Sequence, residues 1–322
     1  MNSWKKYALG AVLVTAAGLA YVNNSHRNIP TDLRDAVIDG AALDSRFAAT
    51  EQGNGTVPIP KAPAHAETGA VGKGYIGGSD PSLGVPERPV EWVTIPGGKF
   101  MMGTDSVEKG FESARPIHTV TIKTFDMART EVTVAQYNEC VVKGKCTEPD
   151  TNKHYCNWLK AGRQDSPVNC LSWKQADEYA KFKDARLPSE SEWEYAATGG
   201  GKNHKYPWGN DEPTCDYVIM RNDGVRDCGY DGTMPVCSRP GKTEQRLCDM
   251  AGNVAEWVRD VYRDSYEGAP GDGGAVEGSG LRVMRGGSFR AESARYVRAD
   301  KRGSGVPEER YGNVGFRLAR SR

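Results

Sequence analysis

Apolar and polar residues alternate over short stretches near residues 90–125 and again near the end of the chain. Trp92–Ile95, a Pro-Gly-Gly step and residues 99–103 predict a β-hairpin with a glycine turn. In residues 118–125, Val120 and Ile122 alternate with polar neighbours, which predicts a half-buried strand. The same pattern predicts strands at 281–285, at 295–298 and in the final run of Val314, Phe316 and Leu318.

Three segments between these strands have the pattern of short helices. Each begins with a hydroxyl residue followed three positions later by Glu or Gln, the pattern of a capping box. The pairs are Thr133/Gln136, Ser172/Gln175 and Ser189/Glu192. Apolar residues follow at helical spacing in two of them, at Trp173, Ala176 and Ala180 and at Trp193, Ala196 and Ala197. Gly144 and Gly199 stand where C-terminal caps are expected.

The order of these elements indicates the fold class. Strands come first, helices follow, a long glycine-rich stretch comes next, and strands return at the end. We therefore predict an α+β, loop-rich fold with short antiparallel strands and about three short helices, and no parallel α/β arrangement.

The first 89 residues differ in character from the rest of the chain. Lys5 and Lys6 precede an apolar run over residues 8–22, which suits a signal peptide; the alternative is an uncleaved membrane anchor through the same run. Residues 24–89 are rich in Ala, Gly and Pro and predict a flexible tether. We therefore divide the chain into a leader or anchor (1–23), a tether (24–89) and a folded domain (90–322), and expect export to the periplasm or cell surface.

Charge and cysteine content narrow the function classes. Lys plus Arg and Asp plus Glu both number 42, so the chain has no excess of positive charge that would favour binding to nucleic acid. The eight cysteines fit a disulfide framework in an oxidising compartment, although sequence alone does not fix the pairing. We favour sequential local pairs, Cys140–Cys146, Cys156–Cys170, Cys215–Cys228 and Cys237–Cys248. Zinc is disfavoured, because no C-x2-C motif occurs and the five histidines are scattered.

Seven ordered blocks between residues 90 and 320 carry a family resemblance. They include Ile95-Pro-Gly-Gly-Lys-Phe-Met-Met-Gly103, Arg186-Leu-Pro-Ser-Glu-Ser-Glu-Trp193, Asp249-Met-Ala-Gly-Asn-Val-Ala-Glu-Trp257 and Arg285-Gly-Gly-Ser-Phe-Arg-Ala291. The chain thereby resembles the formylglycine-generating enzyme, or sulfatase-modifying factor, family. The resemblance implies a C-type-lectin-like α+β fold with much ordered loop.

The resemblance also implies a copper-binding cysteine pair, and this chain departs from it there. The first position reads Ala291, the second falls near Tyr296, and no cysteine follows Cys248. Alanine has no ligand atom, and tyrosine is a poor substitute for a thiolate that selects copper(I). We therefore expect no copper and assign no catalytic residue, although Ser288 stands where the family has its active-site serine.

A structural calcium site is the second implication. By resemblance it comprises Asp249, Gly252, Val254 and Glu256, the middle two through backbone carbonyls. Two carboxylates around a glycine suit a hard cation that prefers oxygen ligands. The family's second calcium site is in doubt, because Cys228 stands where an aspartate ligand is expected and Asp227 is its neighbour.

Two function classes remain. Arginine and aromatic side chains, the types enriched at recognition hot spots, gather where the family has its substrate groove: Ser288, Phe289, Arg290, Arg295 and Tyr296. This favours a non-catalytic module that binds a protein, peptide or glycan. The alternative is a formylglycine-generating oxidase that converts a target cysteine. The family's iron-dependent branch and its hypervariable ligand-binding relatives fit less well, because the histidines lack ligand spacing and residues 290–298 are not asparagine-rich.

Overall fold

The computed structural model describes residues 88–221 and 232–322. The predicted leader and all but the last two residues of the predicted tether lie outside the described residues, as does Cys228. Within the described residues, no helix is both long and apolar enough to span a bilayer.

The three capping boxes are the starts of three α-helices. α1 is Val134–Val142, α2 is Trp173–Phe182 and α3 is Glu190–Ala197, and in each both capping hydrogen bonds are present. Gly144 and Gly199 follow the ends of α1 and α3 with φ of 66° and 75°, as predicted for C-terminal caps. α3 is buried on all sides, which exceeds the single stripe expected from its sequence.

Nine strands and two 3-10 helices make up the rest of the described regular structure. The strands are β1 (Trp92–Ile95), β2 (Gly98–Met102), β3 (His118–Ile122), β4 (Phe125–Ala128), β5 (Ala255–Val261), β6 (Arg282–Arg285), β7 (Arg302–Gly305), β8 (Val314–Gly315) and β9 (Ala319–Ser321). The 3-10 helices are Glu112–Ala114 and Ala294–Val297.

The strands form three small sheets. One has the order β1-β4-β9, the second pairs β2 with β3, and the third has the order β7-β6-β5-β8. All pairs are antiparallel except β5 and β8. Val120 and Ile122 of β3 are buried, and Thr119 and Thr121 beside them are exposed, so the predicted half-buried strand is confirmed over residues 118–122, whereas Phe125 begins β4. The α+β class is confirmed.

The predicted hairpin of β1 and β2 is wrong. β1 pairs with β4 and β2 pairs with β3, so the Pro96-Gly97 step carries the chain from one sheet to another. Gly97 lies against the β3–β4 corner, where an added Cβ would meet the Ile122 carbonyl oxygen at 2.5 Å. Its amide also donates to the Thr124 hydroxyl at 3.0 Å. Gly97 is therefore needed for this close backbone contact and not for the hairpin turn that the sequence predicted.

Two of the predicted late strands are also corrected. Residues 294–297 form a 3-10 turn whose Tyr296 carbonyl presses on Gly287, where a Cβ would meet it at 2.4 Å. The final run is split between β8 and β9, which belong to different sheets. The interruption is at Arg317, which is fully buried like its neighbours Phe316 and Leu318, so neither face of this segment meets solvent.

Candidate functional site

A cavity of about 120 Å³ lies beside the turn that follows β6. Its wall includes Ser288, Ala291 and Tyr296, so the structure brings together the predicted serine and both positions that the resemblance assigns to copper ligands. Gly287, with φ 65°, provides the tight turn that leads into Ser288. The Ser288 hydroxyl accepts from the Arg290 amide at 3.2 Å and from Asn313 Nδ2 at 3.4 Å.

The cavity wall offers no thiol in its described lining. Ala291 is buried and Tyr296 is half-buried, and the other polar lining groups are hydroxyls, an amide, one carboxylate and three cations, with the Met284 thioether as a further sulfur group. The predicted pairs Cys140–Cys146, Cys156–Cys170 and Cys237–Cys248 are confirmed as disulfides. Cys215 is also disulfide-bonded, and no described cysteine is free. The donor set at this site therefore does not fit a copper(I) bis-thiolate.

The remaining predicted groove residues lie around the cavity and are not part of its wall. Phe289 is fully buried, and its ring centroid lies 5.2 Å from that of Tyr155. The Arg290 guanidinium stacks on the same Tyr155 ring at 4.5 Å. Arg295 lies over Phe111 and donates to the Lys109 carbonyl.

The sequence analysis missed a buried charge network behind the cavity. Arg302 binds both Glu190 oxygens, at 2.7 and 2.9 Å, and Arg285 reaches Glu190 at 3.3 Å and also pairs with Glu194. All four side chains are at most a few per cent exposed. The signal in the sequence was the i, i+4 spacing of Glu190 and Glu194 on α3, which places both on one side of the helix, whereas the third glutamate, Glu192, belongs to the capping box.

The two glutamates of this network differ in their acidity. Burial opposes ionisation of Glu190, but Arg302 and Arg285 outweigh it and hold the pKa of its carboxyl below the usual value. Burial dominates at Glu194 and raises its pKa to about 7, although Arg285 and the Gly103 amide favour the ionised form. The network thus places fixed charge beside the cavity wall to which Arg285 and Arg302 belong.

A family model for the sulfatase-modifying factor enzyme 1-like domain matches residues 84–322. The chain belongs to this family. The formylglycine-generating enzyme of Streptomyces coelicolor is 32% identical over 287 residues, covering 70% of this chain and 88% of that protein. The inactive C-alpha-formylglycine-generating enzyme 2 of Bos taurus is 29% identical over 282 residues, covering 72% and 88%. Among solved structures, PvdO from Pseudomonas aeruginosa superposes with a TM-score of 0.61 at 29% identity, covering 72% of this chain and 94% of its own.

The predicted calcium loop follows Cys248 and has an unusual backbone. Asp249, Gly252 and Asn253 all have positive φ, and Val254 is fully buried. Gly252 is tightly packed, since a Cβ there would meet the Ile219 carbonyl oxygen at 2.3 Å. The loop is therefore held in one conformation by its surroundings.

The two carboxylates of this loop, Asp249 and Glu256, are not equally suited to bind calcium. Both Glu256 oxygens bind the buried Arg317 guanidinium, at 2.6 and 2.7 Å, and one also accepts from Trp193 at 2.9 Å. Glu256 fits the role of a cation ligand poorly, because its charge is already balanced. Asp249 accepts only one described backbone bond, from the Cys237 amide at 2.6 Å.

Glu131 is a further acid at this loop that the sequence analysis did not single out. Its carboxyl is fully buried; one oxygen accepts from Asn253 Nδ2 at 3.0 Å, and the other has no donor among the described residues. Burial, with repulsion from Asp249, raises the pKa of Glu131 well above its usual value, and burial also raises the pKa of Asp249. Calcium at Asp249, Gly252, Val254 and Glu256 stays a prediction.

Proposed function

We propose that this protein is a non-catalytic binding module that uses the family's cavity to hold a segment of a protein, peptide or glycan. The observation that carries the proposal is the cavity wall, which keeps Ser288 and presents Ala291 and Tyr296 where the resemblance implies copper ligands. Without the thiolate pair, Met284 is the one residue of the described wall that has a soft ligand atom, which does not replace the two thiolates that the resemblance implies for copper(I). A wall of hydroxyl, amide and charged groups can still bind a polar ligand.

Family membership alone does not choose between catalysis and binding. The chain is similar both to a relative named as formylglycine-generating and to one named as inactive. The proposal therefore rests on the residues at the cavity, which support binding.

We propose export as part of the same account. The described cysteines are all disulfide-bonded, and disulfides persist in oxidising compartments. The leader or anchor in residues 1–23 and the tether in residues 24–89 would then place the domain in the periplasm or at the cell surface.

The experiment compares ligand capture by two phenylalanine variants of the full chain. Ala291→Phe puts a ring into the cavity from a wall position that is only 5% exposed. Val142→Phe, at the 52% exposed end of α1, is the matched control. Each immobilised protein is incubated with an envelope extract of the source organism, and bound molecules are identified by mass spectrometry.

The expected result is a molecule that the wild type and Val142→Phe retain and that Ala291→Phe loses. The melting temperature of each variant shows whether the domain remains folded. Equal retention by a folded Ala291→Phe protein would contradict binding in the cavity.

A further inference from the structure

Arg290 differs from the other buried arginines of the described chain. Four arginines there are less than a tenth exposed: Arg285, Arg290, Arg302 and Arg317. Three of them form ion pairs with buried glutamates at Glu190, Glu194 or Glu256. The guanidinium of Arg290 has no carboxylate partner among the described residues.

The contacts of Arg290 are those of stacking alone. Its guanidinium lies 4.5 Å from the Tyr155 ring centroid and 5.8 Å from that of Phe289. Nη1 is buried and has no acceptor among the described residues. Glu292, the acid nearest in sequence, instead pairs with Arg221 at 3.0 Å. A buried guanidinium without a counter-charge is costly to the folded state, so its presence calls for a physical reason.

The position of Arg290 supplies that reason. Its side chain is not part of the cavity wall, but its amide donates to the Ser288 hydroxyl and its chain neighbour Ala291 belongs to that wall. Tyr155 stacks on one face of the guanidinium, which leaves the hydrogen-bonding edge as the side that can bind an anion. Because no hydrogen bond from the described residues holds the guanidinium, a small shift of this side chain costs little.

We propose that Arg290, whose neighbours Ser288 and Ala291 line the cavity, binds a carboxylate of the ligand beside that cavity. This inference rests on the proposed binding function and specifies its ligand class, a carboxylate-bearing peptide or glycan. A planar carboxylate matches the fork of a guanidinium and carries the single charge that one guanidinium balances. A phosphate group carries about −1.5 to −2 at neutral pH and would leave charge uncompensated here.

The first test measures stability without any ligand, on the full chain. Arg290→Met removes the unpaired buried charge and keeps most of the side-chain length, so the melting temperature should rise by about 2–4 °C. Arg320→Met is the matched control, because Arg320 also stacks on an aromatic ring, Trp92, but pairs with Asp126 at 3.1 Å. That variant should show no rise.

The second test measures carboxylate binding by NMR of arginine side-chain N–H groups. Acetate, added at constant ionic strength, should shift the Arg290 signal in a saturable way, whereas uncharged acetamide should not. Arg290→Met should weaken acetate binding about tenfold or more, as expected for loss of a charge-assisted hydrogen bond, while Arg290→Lys should retain part of it. Arg320→Met should bind acetate as the wild type does.

Three results would overturn the inference: a lower melting temperature for Arg290→Met, equal responses to acetate and acetamide, or tighter binding of inorganic phosphate than of acetate. Its failure is distinguishable from failure of the binding function. If Arg290→Met captures the same envelope molecule as the wild type and Ala291→Phe does not, the cavity binds a ligand that does not use this guanidinium.

Discussion

The buried pair of Glu256 and Arg317 joins the last segment of the chain to β5, and its disruption should be costly. Arg317 binds both Glu256 oxygens and also donates to the backbone carbonyls of Cys248, Ala128 and Arg129. Both side chains are essentially inaccessible to solvent. Glu256→Gln keeps the shape but leaves the Arg317 charge uncompensated.

The expected loss of stability follows from the burial of the Glu256–Arg317 pair. Removing one partner of a buried ion pair costs about 3–5 kcal/mol, because the remaining charge stays desolvated. The amide introduced by Glu256→Gln would also place its hydrogens against guanidinium hydrogens. We therefore expect this substitution to lower the free energy of unfolding by about 3 kcal/mol or more, whereas Glu256→Gln combined with Arg317→Met should recover part of the loss.

The assay is urea unfolding of the oxidised protein, followed by tryptophan fluorescence, with and without EGTA. Because Glu256 pairs with Arg317 in the structure, Glu256→Gln should lower the free energy of unfolding by the same amount with and without EGTA. A loss below about 1 kcal/mol would refute the reasoning about burial. A loss that appears only when calcium is present would show that Glu256 acts as a cation ligand instead.

Three further predictions concern acidity, calcium and thiols. Burial raises the pKa of Glu194 and of Asp260 to about 7, so the folded state holds protons that the unfolded state releases near pH 4. Stability should therefore fall as pH rises from about 5 to 7, by up to about 3 kcal/mol per group. Melts at pH 5.5 and 8 test this, and a higher melting temperature at pH 8 would contradict it. EGTA should lower the melting temperature of the wild type but not of Asp249→Ala; an unchanged wild-type melt would count against calcium. Mass analysis without reductant should find all eight cysteines blocked, and two or more free thiols would reopen the case for catalysis.

The parts of the fold that depend on local chemistry were predictable from sequence. The three helix starts follow from hydroxyl and Glu or Gln side chains that bond backbone amides within one turn. The disulfides between neighbouring cysteines were also predictable, since short loops bring the sulfurs together.

The errors came from contacts between distant residues. Nothing near Gly97 in the sequence shows that its backbone will meet Ile122, which converts a predicted hairpin turn into a crossing between sheets. Similarly, the Arg317 guanidinium turns an apparent alternating strand into a segment that is buried on both faces.

The candidate site was predictable only in part. Family resemblance located Ser288, Ala291 and Tyr296, which line one cavity. It did not show that Arg290 would be buried without a counter-ion among the described residues, because ion pairs depend on which carboxylates the fold brings close. Lys301 belongs to the same wall and was not singled out, since a lysine in a charged stretch has no distinctive pattern.

The central claim is that this scaffold lacks the ligands for copper oxidase chemistry. The direct measurement is aldehyde formation on a sulfatase-type Cys-x-Pro-x-Arg peptide with the purified full chain, copper(I) and oxygen. The formylglycine-generating enzyme of Streptomyces coelicolor serves as the positive control. The account predicts no aldehyde above a protein-free blank, and aldehyde that accumulates with repeated turnover would contradict it.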